Sequence, residues 1–400
     1  SVTAGGGLSS DVLRFGGGLM LRPEISLRNE FDHGWYSGVS WSQVRFPSGN
    51  VKGSSLGFVI GHAGNFSSFS PRDAGQRGAS SGRTGLGFDE VVVFGGMYKP
   101  DSRTFDRGGN PSRGRMGTAG ADLRQYIADG SWWALEAAGA AQGGSDGYME
   151  LLVKAGQDWA LGNTGLRVGA EIGAGLGGGG GVNTGNGWLW HAGPSLRWVS
   201  PWAGASLHLD AGYARSFSGQ FSAPFLRLGV GLPLDRMVSA FDYSDHGEGT
   251  VRALTVGASV QHLSRVHYKD GHTGPISELA ITMSRELGTH LYGAAQAGSA
   301  AVGDAGAYSF GLFGLGWQTS PYLNGKLRFG VEGLVGAGGG GGVVVNGGAI
   351  GQVEAWAQYE ATERLRLRAG IGEWHTLRSS GQSSPMLNLS LGYAFGTLDR

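Results

Sequence analysis

Three histidines at a constant step, His262, His267 and His272, form the first group whose type and spacing could do chemistry. Imidazoles bind a metal when they converge. A step of five along an extended chain instead sends His262 and His267 to opposite sides, and His272 falls in the turn-like KDGHTG. No metal site is expected from them. GGSDG at 143–147 satisfies G-x-S-x-G, but a nucleophile elbow needs a strand-to-helix turn. Here Ser-Asp-Gly joins two alternating stretches, so Ser145 is not expected to be catalytic. FDYSDHGE brings Asp242, Asp245 and Glu248 together without a full calcium-loop pattern and reads as a solvated acidic connection. The glycine runs lead into Val-Asn or Val-Val, not Gly-Lys-Ser/Thr, so none is a phosphate cradle and no cofactor is expected.

Charge is placed more systematically elsewhere. Residues 65–84 carry Arg72, Arg77 and Arg83 against Asp73, and residues 99–116 carry Lys99, Arg103, Arg107, Arg113 and Arg115 against Asp101 and Asp106. Long, net-positive loops of this kind pair with lipopolysaccharide phosphates, fold inward and narrow a pore, or stay exposed and partly disordered. Arg72, Arg77, Arg103, Arg107, Arg113 and Arg115 are therefore the candidate loop or constriction residues. A second set sits on alternate positions. Arg167 and Glu171 oppose Leu166, Val168, Ala170 and Ile172; Arg328 and Glu332 oppose Leu327, Phe329 and Val331; Arg364, Arg366 and Arg368 oppose Leu365, Leu367, Ala369 and Ile371. Charges on one face and aliphatics on the other suit a wall between water and lipid, so these seven charged residues are the candidate lumen-facing set.

The elements that must position them are long strands. Period-two segments of about 10–13 residues exceed the usual globular strand and suit a tilted membrane strand. Turn dipeptides lie between them, DG at 129–130 and 146–147 and NG at 186–187, 324–325 and 346–347, as tight antiparallel hairpins require. Trp35, Trp132, Trp133, Trp188, Trp190, Trp198, Trp202 and Trp317 collect near segment ends, where a bilayer interface would hold them. A β-sandwich with an aromatic core is the alternative, but it seldom needs so many long strands with a charged second face.

The chain also repeats itself. LRVGAEIGAGLGGGGGV at 166–182 returns as LRFGVEGLVGAGGGGGV at 327–343, an offset of 161 that also relates APFLRL at 223–228 to SPMLNL at 384–389. Ordered landmarks at one spacing indicate a duplicated unit. The expected fold is thus all-β, a single antiparallel up-and-down transmembrane β-barrel of about 18–20 strands over residues 1–400. Its expected parts are 1–86 (N-terminal strands and a long loop), 87–233 (first repeat), 234–248 (connection) and 249–396 (second repeat). The two pentaglycine strands should run in the same direction eight strands apart, with Arg167 and Glu171 facing Arg328 and Glu332 from opposite walls of one lumen. Each glycine run enters a turn or loop, where plain loop flexibility is the first expectation and packing against another loop, another chain or a polymer the alternative.

Composition bounds the function. Lys+Arg and Asp+Glu are both 31, which gives no case for a nucleic-acid partner, and the absence of cysteine removes disulfides and thiolate metal sites. No apolar run reaches the length of a membrane helix. SVTAGGGLSS has neither an initiator Met nor a signal-peptide pattern, consistent with a mature exported chain.

VTAGGGLSSDVLRFGGG…LRPEISLRNEFDHGWYSGVSWSQVRF, with Ser10–Asp11, Pro23 and GWYSGVSWS at 34–42, resembles the opening of the TorF-family putative porins. The match covers little more than a tenth of the chain, and that family's chains are shorter and carry no pentaglycine duplication. LNLSLGYAF at 387–395 looks like the C-terminal strand of outer-membrane barrels, although GTLDR follows the aromatic end. The resemblances imply a bacterial outer-membrane barrel. The expected function is a channel, porin-like or an export pore, in contact with outer-membrane lipid and lipopolysaccharide. A structural or secretion-associated barrel holding a partner protein or exported polymer is the alternative, and an outer-membrane hydrolase is the second.

Overall fold

In a computed structural model, which describes residues 2–4, 15–64, 66–102, 104–111, 114–200, 205–235, 247–378 and 381–399, the alternating segments are strands, and the described helical residues form only two 3-10 turns, Asp32–Gly34 and Pro71–Asp73. An N-terminal sheet holds β1 (Val2–Ala4), β2 (Leu19–Leu21), β3 (Glu24–Glu30), β4 (Trp35–Arg45) and β5 (Lys52–His62). A short β6 (Arg77–Ser80) follows. The first repeat supplies β7 (Glu90–Tyr98), β8 (Met116–Ala128), β9 (Ser131–Gln142), β10 (Met149–Ala160), β11 (Leu166–Gly178), β12 (Trp188–Val199), β13 (Ser206–Ser216) and β14 (Ser222–Pro233). The second supplies β15 (Gly247–His267), β16 (Thr273–Glu286), β17 (Leu291–Gly303), β18 (Ser309–Gln318), β19 (Leu327–Gly339), β20 (Ala349–Glu360), β21 (Leu365–Thr376) and β22 (Ser383–Asp399).

The single barrel is corrected by two pairings. β14 turns back onto β7, from Phe225 opposite Tyr98 to Pro233 opposite Glu90, and closes eight strands. β22 pairs with β15 from Met386 opposite Leu263 to Asp399 opposite Thr250, and closes a second eight. Each repeat is its own barrel, because eight tilted strands suffice to close around packed side chains and closure removes both open edges. The pentaglycine strands are β11 and β19, eight apart in order but in different barrels. Arg167 and Glu171 therefore do not face Arg328 and Glu332 across a common lumen.

The glycine runs have a geometric cause. Gly179, Gly180 and Gly181 have φ of +96°, +53° and +76°, and Gly340, Gly341 and Gly342 have +95°, +57° and +75°. Three successive left-handed residues suit glycine alone. A Cβ on Gly180 would also strike the Ser145 carbonyl, and one on Gly341 the Ala305 carbonyl, so each run presses its backbone onto the preceding hairpin turn of its own barrel. The second run reaches further: Gly339 and Gly340 abut Gly147 of the first barrel, and Lys269 bonds Asp146 at 2.7 Å. With Ala337 beside Gly139, small residues let β9 pack against β18, β19 and β20, and the barrels stand side by side.

Outward positions are apolar in both barrels. Leu151, Val153 and Ile172 in the first, and Ile281, Val331, Leu367, Ile371 and Leu389 in the second, are exposed, while their sequence neighbours point inward. The segment after β5 crosses the end of the second barrel: Phe69 pairs with Gly396, Gly75 N–H donates to the Val251 carbonyl, and β6 adds to β15.

Candidate functional site

The two interiors differ. In the first barrel Tyr98, Met116, Tyr148, Val182, Phe221 and Phe225 pack at the glycine-run end, and Tyr126, Trp132, Ala134 and Val199 form a second apolar cluster toward the other end. Between them titratable side chains lie buried on the inner face of the barrel wall. Lys154 Nζ lies 3.2 Å from Asp122, 3.1 Å from Glu136 and 3.1 Å from Glu171. Arg227 reaches Glu136 at 2.6 Å and Glu150 at 2.9 Å, and Tyr98 and Tyr148 donate to Glu150. Arg124 pairs with Asp122 at 2.9 Å and stacks on Trp132 with 4.1 Å to the ring centroid. Arg167 and Arg197 converge on Asp158. Charges so buried are tolerable only when paired and hydrogen-bonded, and these contacts tie β7, β8, β9, β10, β11, β12 and β14 together across the interior.

The second barrel is graded from end to end. At the glycine-run end Leu263, Ile276, Tyr308, Phe310, Ile350, Trp374 and Met386 form an apolar layer. Beside it three glutamines from β15, β17 and β20 close a ring: Gln261 donates to Gln296 at 2.6 Å, Gln296 to Gln352, and Gln352 back to Gln261 at 3.1 Å. Each amide gives one hydrogen bond and takes one, so every amide nitrogen and oxygen of the ring has a partner within it. Next comes a charged tier. Arg368 lies 3.2 Å from Glu332 and 3.4 Å from Glu354 and stacks on Trp356 at 4.3 Å, while Asn388 donates to Glu354 at 2.8 Å. Voids of about 40 Å³ and about 20 Å³ border Arg366 and Arg368. Beyond them a cavity of about 790 Å³ opens at the mouth, lined by Glu286, Lys326, Arg328, Glu360 and Glu363 and by Pro71, Arg72, Ala74 and Gly75 of the crossing segment. The Ser70 hydroxyl donates to Glu363 across it.

The charged residues singled out from sequence separate accordingly. Arg167 bonds Asp158 and, at 2.7 Å, Asp129 within the first barrel, where Glu171 meets Lys154. Arg328 binds Glu360 at 3.0 Å in the vestibule of the second, and Glu332, Arg366 and Arg368 lie deeper. Arg364 sits in the turn before β21, 5.9 Å from the Tyr393 ring centroid. Of the loop arginines, Arg72 lines the vestibule, and Arg77 is exposed on β6, 3.9 Å from Glu248. Arg107 and Arg115 are exposed, the former with its N–H on the Gly181 carbonyl. Arg103 and Arg113 lie outside the described residues, as do Asp242, Asp245 and Trp202. The three histidines meet three separate partners: His262 Ser277, His267 Thr273 and His272 Asp270. Ser145 is in the β9–β10 turn, its carbonyl accepting from Tyr148 N–H at 2.9 Å.

Sequence reasoning missed the glutamine ring and the Lys154 network. Inward parity on their strands was the available signal, since Gln296 and Lys154 occupy the polar face of otherwise apolar alternations.

No protein-family model and no curated protein matches the chain. Solved structures that align with it include Pseudomonas aeruginosa OccK5 (OpdH), 10% identical over 94% of this chain and 92% of that one with a TM-score of 0.26. Pseudomonas aeruginosa OpdQ is 10% identical over 94% and 90% with a TM-score of 0.28. Pseudomonas putida OprB, in a high-pH structure, is 9% identical over 83% and 100% with a TM-score of 0.24. Likenesses this remote carry no argument about function, which rests on the geometry of the chain itself.

Proposed function

We propose that this chain is a porin-like β-barrel protein of the bacterial outer membrane, in which the second barrel is the polar route for small solutes and the first is a sealed support. The supporting observation is the difference between the interiors: apolar clusters toward both ends of the first, but an open, charged vestibule of about 790 Å³ leading to a glutamine ring in the second. The outward aliphatic faces suit lipid, and closed barrels satisfy every backbone group there. Passage requires the ring to part and the apolar layer beside it to shift, so the route is gated.

The test is conductance in planar bilayers. A bulky thiol reagent on Thr289→Cys, at the vestibule rim, should cut the current, while the same reagent on Thr164→Cys, in the β10–β11 turn of the first barrel, should not. No effect at position 289, or a block at 164, overturns the reading. A second reading, a barrel that holds a partner chain, draws on the N-terminal sheet. Ile25, Leu27, Leu56, Phe58 and Ile60 are exposed on it, and β3 and β5 each have one edge without a strand neighbour among the described residues. Co-purification of a second chain, lost on replacing Leu56 and Phe58 with Ser, would favour it.

A further inference from the structure

Arg366 stands apart among the inward cations of the second barrel, where Arg285, Arg328 and Arg368 each have a carboxylate partner. Its Nη1 donates to Thr255 Oγ1 at 2.7 Å, and its Nε is shielded from solvent without a hydrogen-bond partner. Among the described residues no carboxylate oxygen lies within 4.0 Å of its guanidinium. The carboxylates nearest to it are engaged elsewhere or stand off: Glu286, which borders the smaller void with Arg366, accepts from the Gln318 amide at 3.3 Å and makes no ion pair with Arg366 within 4.0 Å. Glu360, its cross-strand neighbour, is bound by Arg328 at 3.0 Å, and Glu332 and Glu354 are held by Arg368. A part-buried cation without a contacting carboxylate is costly, because desolvation is only weakly offset by charges at a distance.

The space beside it has the size and chemistry to supply one. The void of about 40 Å³ that Arg366 borders exceeds the roughly 10–15 Å³ that one water-sized occupant needs. Thr255, Thr282, Ser284 and Ser390 bring hydroxyls to it and Gln358 an amide, all able to donate, and the Arg368–Glu332 pair also lines it, the carboxylate being neutralised by its own partner at 3.2 Å. Thr255 already accepts from Arg366, which leaves its own proton for an occupant. We propose that Arg366 and this hydroxyl-lined void form a binding site for one small monovalent anion, either free chloride or the carboxylate group of a solute. The site lies inward of the vestibule, and its role in selectivity rests on the second barrel being the polar route; its occupancy does not.

The test reads binding without transport. Saturable line broadening in chloride NMR of the folded protein should appear in the wild type and in Arg107→Gln, a control on the exposed loop of the first barrel. Arg366→Gln should weaken half-saturation about tenfold, the loss expected for a charged hydrogen bond, while Arg366→Lys retains most of it. Formate titrated against bound chloride separates the sources: competition admits solute carboxylates, and no competition restricts the site to the halide. Broadening that is absent in the wild type, or unchanged in Arg366→Gln, overturns the proposal. Loss of conductance with intact chloride binding would instead count against the polar-route reading and leave the site standing.

Discussion

Lys154→Met is the most demanding perturbation of the first barrel. The ammonium is 1% exposed and lies within 3.2 Å of three carboxylates, Asp122, Glu136 and Glu171. Methionine fills much of the same volume, so what is lost is the charge. Removing one partner of a buried ion pair costs about 3–5 kcal/mol, because the other is left uncompensated. The strands of this barrel bury five cations (Arg124, Lys154, Arg167, Arg197, Arg227) and seven carboxyls (Glu90, Asp122, Glu136, Glu150, Asp158, Glu171, Asp210), and the substitution widens that imbalance. A loss of about 3–5 kcal/mol is a large share of an ordinary stability of about 5–15 kcal/mol. Urea titration of the protein folded in lipid vesicles, read by heat-modifiable mobility, should show the midpoint fall. Adding Glu171→Gln removes one stranded carboxylate and should recover roughly 0.5–3 kcal/mol, the usual coupling of contacting groups. A loss below about 1 kcal/mol, or a double variant weaker than the single, would refute the view that these charges are mutually compensated.

Three further outcomes follow from the fold. Met97→Cys/Leu226→Cys should cross-link within one chain, as should Val260→Cys/Leu389→Cys, because each pair is in register across a closing seam and opposed β residues lie within disulfide reach; a single large barrel would leave the first pair unlinked. Gly180→Ala should destabilise more than Gly181→Ala, since both have positive φ at about 1–2 kcal/mol each but only the former drives a Cβ into a carbonyl, a difference that thermal unfolding would resolve. Leu367→Arg should impair assembly by about 2–4 kcal/mol, measured as folded yield in vesicles, while Arg366→Gln assembles.

Much of the fold was legible because alternation is local. Leu365, Leu367 and Ile371 against Arg366 and Arg368 state which face is inward without reference to any other strand. The duplication was legible for the same reason, and the eight-strand spacing of β11 and β19 followed from repeat length. Closure was not. Whether β14 continues to β15 or returns to β7 depends on pairing residues 225–233 with 90–98, more than a hundred positions away, and no period in either segment reports it. The candidate site was half legible: charges on inward faces were expected, but a lumen-lining Arg167 and one locked onto Asp158 have the same sequence signature. The glutamine ring was invisible, because it joins three strands through neutral side chains that pattern analysis treats as filler.

Single-channel conductance of a ring variant tests the central claim most directly. Gln261→Ser/Gln296→Ser/Gln352→Ser removes the mutual hydrogen bonds that span the lumen while leaving the charged tier and both closing seams in place. If the second barrel is the gated route, the variant should open more often or to larger steps than the wild type, and a thiol reagent on Thr289→Cys in that background should abolish the gain. A folded variant whose conductance is indistinguishable from the wild type would contradict the account.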